Sequence, residues 1–223
     1  MHIEPGLVDP AKMVLAYGTA AAAGGYTLKL AWEAVKAQGP VSLVARSVAA
    51  TALTFSFFEV LPHYPVGVSE VHLILGSTLF LLLGAAPAAF GLALGLLMQG
   101  LFFAPFDLPQ YFANVTTLLV PLFAISALAK RIIAPDTPYV DLKYGQALAL
   151  STAYQGGIVA WVAFWALYGQ GFGAANLTSV VSFGGAYMLV VLLEPLVDLA
   201  VLAGAKAMRG LEKTGLVTPR LYG

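Results

Sequence analysis

Apolar residues along this chain come in long blocks, and Pro, Gly and small clusters of charge stand between them. Blocks of that length and composition predict membrane-spanning helices. The interruptions place seven of them: Pro10 to Lys36, Ser42 to Val60, Ser69 to Leu83, Pro87 to Phe103, Gln110 to Lys130, Tyr144 to Tyr168 and Ser179 to Met208. The third is too short to cross, because Ser69 to Leu83 rises only about 22 Å against a hydrocarbon core of about 30 Å. It should therefore begin below the outer surface, and the Leu61 to Val68 loop before it should line a pocket open to the outside.

Composition agrees with the pattern. The 223 residues are 60% hydrophobic and 10% charged, with a mean hydropathy of +0.85, whereas soluble domains carry about 25% charged residues. The fold class is an all-α polytopic membrane protein. The 11 basic and 11 acidic residues balance, which removes any case for a nucleic-acid partner. Without cysteine there is no disulfide framework and no thiolate ligand, so metal chemistry rests on nitrogen and oxygen. The start lacks a basic leader, and Glu4 and Asp9 are wrong for a signal peptide, so the first helix is expected to be retained. The chain reads as one domain, 1–223, with an N-terminal segment 1–9, a helix bundle 10–208 and a cytoplasmic tail 209–223.

Charge sets the orientation. Lys36, Arg46, Lys130, Arg131, Lys143, Lys206, Arg209, Lys213 and Arg220 fall on one side of the seven-helix arrangement, which makes that side cytoplasmic. Glu4, Asp9, Glu59, Glu70 and Asp107 fall on the other, with Lys12 the one basic exception. The N-terminus then faces out and the C-terminus faces in.

Candidate chemistry gathers at the outer side. The Met1 amine, the His2 amide and the His2 imidazole can close adjacent five- and six-membered rings around a metal with a square-planar preference, leaving one position for a further donor. An early residue on a frayed terminus is the plainer reading. His72, with Ser69 as a helix N-cap and Glu70 in the first turn, sits at membrane depth where an ionisable or metal-binding group is a functional candidate. A backbone-satisfied interfacial imidazole accounts for it equally well. His63 offers another imidazole in the same loop, although a solvated loop histidine is the simpler account. Asn114 opens the fifth helix within reach of the pocket as a hydrogen-bonding neighbour of ligands, although a plain helix-packing asparagine is the commoner case. Glu194 and Asp198 share one face of the last helix, suited to proton relay or cation binding and equally to structural hydrogen bonding or contact with a partner subunit.

These residues resemble the CbiM/NikM group, the substrate-binding membrane components of energy-coupling-factor transporters for cobalt and nickel. The likeness rests on the Met-His-Ile start, the Gly67-Val68-Ser69-Glu70-Val71-His72 loop with the glycine-punctuated helix after it, and Phe112-Ala113-Asn114-Val115 following Asp107. It implies an N-terminus inserted among the helices. It also implies Ni(II) or Co(II) held by Met1, His2 and His72, with Asn114, Ser69 and Glu70 around them. ATPase subunits and a transmembrane coupling subunit, with or without a small accessory membrane protein, would drive uptake in a cell inner membrane. The chain itself has no phosphate-binding loop and no hydrolase motif, so it is a transport subunit rather than an enzyme and needs no catalytic cofactor. The alternatives are a proton-coupled metal carrier acting alone and a membrane metal-binding protein that does not transport. Glu4, Pro5, Val71 and Phe112 depart from the family pattern, so the metal is not read from the sequence.

Overall fold

A computed structural model describes residues 3–135 and 137–222. Six helices carry the chain: α1 (Met13–Glu59), α2 (Gly76–Leu83), α3 (Ala85–Phe102), α4 (Tyr111–Ile132), α5 (Tyr144–Gln170) and α6 (Ala174–Ala207). A small hairpin, β1 (Tyr64–Val66) and β2 (Ser69–Val71), stands between α1 and α2.

At 47 residues α1 would be about 70 Å long if straight, more than twice the hydrocarbon core. It breaks at Gly39, whose φ of 82° and ψ of 164° are not helical, with Pro40 following. Both ends of α1 lie at the end of the bundle that carries the N-terminal segment and the hairpin, while Gln38 and Ser42 bond to carbonyls of Val217 and Gly215 at the opposite end. The predicted gap between the first two helices is thus one glycine, not a loop.

Among the described residues five helical stretches are long and apolar enough to cross a membrane, the first containing both limbs of α1. The count of seven spanning helices is not reached, because α2 has eight residues, only about 12 Å of rise. The expected helix from Ser69 starts seven residues late, since its first part is strand and extended chain. The core is one continuous set of buried side chains from all of these elements, with Trp165, Tyr154, Tyr187, Phe58 and Phe183 its largest.

The two ends of the bundle sort by charge as the sequence predicts. At the basic end, the tail docks across the helix ends. Thr218 N donates to Leu82 O at 2.8 Å, Arg220 donates to carbonyls of Ala134 and Thr137, and Tyr222 donates to those of Ala205 and Met208. Arg46, 2% exposed, places its guanidinium on Leu83 O at 2.7 Å, so a cation sits at the negative C-terminal end of α2.

Candidate metal centre

The outer loop is strand because its residues favour it. Val66, Val68 and Val71 are β-branched, and Gly67 opens a two-residue connection in which Val66 pairs with Ser69. Gly67 has a φ of 63°, and a Cβ there would lie 2.1 Å from Ser179 O of α6, so the position needs glycine on both counts. The hairpin tip is pressed against α6 as a result. Ser69 is therefore not an N-cap and Glu70 not a first-turn residue: Ser69 is buried within β2, and Glu70 pairs with Pro65. His72 follows in extended chain, 3% exposed, its ring edge-on to Phe58 with centroids 4.8 Å apart.

The N-terminal segment adds to this hairpin. Ile3 bridges Ser69 in antiparallel fashion, and Glu4 N donates to Val68 O at 3.2 Å. Ile3 N donates to Asn114 Oδ1 at 2.9 Å, and both residues are buried. The N-terminal segment thus packs between the hairpin and Asn114. Met1 and His2, the other predicted ligands, lie outside the described residues. Lys12 loses its status as an exception, because its ammonium donates to Tyr168 O and Gly169 O at 2.9 and 3.0 Å, at the C-terminal end of α5. It ties the N-terminal segment down, as does Gln170, which donates to Gly6 O and Leu7 O.

Three of the predicted acidic residues converge at this end: Glu4 and Glu70 act electrostatically on Asp107. His63 is exposed, its ring centroid 6.4 Å from that of His72 and its Nδ1 3.3 Å from Leu61 O. Among the described residues no group of three or more His, Cys, Asp or Glu is placed to hold a metal ion.

Glu194 and Asp198 do not reach the outer site. Glu194 Oε1 accepts from Ile74 N and Leu75 N at 2.9 and 2.8 Å, and its other oxygen accepts from Gln155; Asp198 accepts from Ser77 Oγ at 2.7 Å and from Thr78 Oγ1. Both carboxylates make structural hydrogen bonds: Glu194 holds the backbone at Ile74 and Leu75, and Asp198 holds the side chains of Ser77 and Thr78. Sequence reasoning missed this clamp, along with the roles of Ile3 and Phe58. The Val-Gly-Val run was the one readable sign of the hairpin.

A family described as "Cobalt uptake substrate-specific transmembrane region", CbiM, matches residues 2–210. The chain belongs to that family. The CbiM match takes in the N-terminal strand, the hairpin, His72 and Asn114, and stops short of the docked tail. A solved structure titled as a truncated transition metal transporter has the same fold as this CbiM chain, with 19% identity, a TM-score of 0.60, and coverage of 95% of this chain and 99% of that one. No curated protein matches. The protein is a multi-pass membrane component of metal uptake.

Proposed function

We propose that the chain captures Ni(II) or Co(II) at its outer side, as the substrate-binding component of an energy-coupling-factor transporter in a cell inner membrane. Met1 would supply its amine, His2 its amide and imidazole, and His72 its imidazole. The observation that supports this best is the placement of Ile3, fully buried, bridged to Ser69 and bonded to Asn114. From that anchor two residues reach at most about 7 Å, and His72 lies three positions beyond Ser69 on the same path. Asn114 acts as a positioning residue that seats the N-terminal strand. Glu4, Glu70 and Asp107 favour approach of a divalent cation through their charge.

Four nitrogens in one plane suit low-spin Ni(II), while Co(II) needs a tolerant geometry or an axial ligand. ATP hydrolysis falls to separate ATPase subunits, coupled through a second membrane protein. Reconstitution tests this: the purified chain alone in liposomes should bind Ni(II) yet accumulate none under a pH gradient, and adding the ATPase and coupling subunits should give ATP-dependent uptake. Accumulation by the chain alone would overturn the proposal in favour of a proton-coupled carrier.

A further inference from the structure

Inward of His72 the chain buries a group of oxygens that capture does not use. Glu194 and Asp198 stand one turn apart on α6, both 0% exposed. Every donor bonded to them is neutral: the Ile74 and Leu75 amides, the Gln155 amide, and the Ser77 and Thr78 hydroxyls. Among the described residues no Lys or Arg bonds to either carboxylate. Two buried carboxylates without a countercharge are costly inside a membrane, and such residues commonly mark an ion path.

A second feature points to a ligand. Tyr154 OH, Tyr187 OH and Gln155 Oε1 are buried without a hydrogen-bond partner, on residues that are 0% exposed. The Gln155 amide touches Glu194, and both tyrosine hydroxyls lie close enough to feel its charge. Tyr154 also packs directly on Gly76, where a Cβ would meet its ring carbons and hydroxyl at 2.1 to 2.4 Å. Unused oxygens therefore lie around Glu194 at the start of α2, with Asp198 one turn further along α6.

We propose that this cluster is an oxygen-donor site for a divalent cation, the place that receives the metal as it leaves His72 for the basic end. Two carboxylates balance two positive charges, and hydroxyl and amide oxygens complete a hard donor set. The donor change gives direction to the step. Nitrogen chelation holds a late first-row metal tightly, whereas oxygen ligands hold it more weakly and exchange more readily. Ile74 and Leu75, bonded to Glu194, lie two and three residues past His72, so one short segment joins the sites. The inference rests on the reading of the chain as a carrier of Ni(II) or Co(II).

Mn(II), which favours oxygen ligands, is the probe. The detergent-purified full chain, its outer site first filled with Ni(II), is titrated with Mn(II) and the free-ion signal followed by electron paramagnetic resonance. The native protein should remove a stoichiometric amount of Mn(II) from solution, and the E194Q/D198N variant should remove none. Tyr187→Phe, which breaks no hydrogen bond in the structure, should weaken Mn(II) binding about tenfold and leave Ni(II) binding unchanged. If the native chain takes up no Mn(II), or either variant binds it like the native chain, the proposal fails and the carboxylates only clamp α2. Should the double variant not fold, Tyr187→Phe decides alone. Failure of the capture reading would appear separately, as Ni(II) affinity insensitive to His72→Ala.

Discussion

Replacing Asn114 with Ala tests how the N-terminal strand is seated. In the native chain Ile3 N–H is buried and its acceptor is Asn114 Oδ1, 2.9 Å away. The variant leaves that donor without a partner whenever the strand is docked, at a cost of about 1–3 kcal/mol. With the strand undocked, the N–H is hydrated and costs nothing. In the proposed centre Met1 and His2 bind the metal only from the docked state, so the whole penalty falls on the bound protein. At about 1.4 kcal/mol per factor of ten, the dissociation constant should rise roughly 5- to 140-fold. Calorimetric titration of Ni(II) into protein with a free terminal amine measures it directly. Asn114→Asp, which keeps an acceptor in place, should lose less. An Asn114→Ala protein that is folded and binds Ni(II) as the native chain does would refute the argument that Asn114 positions the ligands.

Lys12→Met removes two hydrogen bonds to the end of α5, so it should weaken Ni(II) binding in the same titration and leave the docked tail at the basic end untouched in a proteolysis assay. Gly67→Ala puts a Cβ 2.1 Å from Ser179 O on a backbone with φ of 63°, and should lower the thermal midpoint of the detergent-solubilised protein more than Gly145→Ala, where the added Cβ meets nothing. Metal affinity should climb as pH rises from about 6 to 8, because imidazole and terminal amine, with reference values near 6.5 and 7.7–8.0, must be unprotonated to ligate; a pH series of titrations with a flat result would exclude nitrogen ligands of that kind.

The bundle was largely legible because the membrane imposes one requirement on long segments, and composition with charge placement answers it. Apolar length located the helices, and the basic residues sorted to one end. His72 and Asn114 stood out as polar groups in apolar surroundings, and both are buried, Asn114 against Ile3 and His72 against Phe58. What escaped was set by contacts between distant segments. Nothing local to Ser69–Val71 announces that β1 pairs with it while Ile3 bridges its first residue. Capping by Glu194 depends on α6 passing the start of α2, a contact 120 residues apart in sequence. Lys12 looked misplaced until Tyr168 and Gly169 lay beneath it. The length of α2 was overestimated for the same reason, as Leu75 takes a left-handed conformation, φ 55°, that ends any helix running from Ser69.

The central claim is that the terminus and His72 form one metal centre. Calorimetric titration of Ni(II) and Co(II) into the detergent-purified protein, the His72→Ala variant and a version with one extra residue before Met1 tests it most directly. Tight one-to-one binding by the native protein, lost in both variants, is the predicted result. Undiminished affinity in either variant would contradict it.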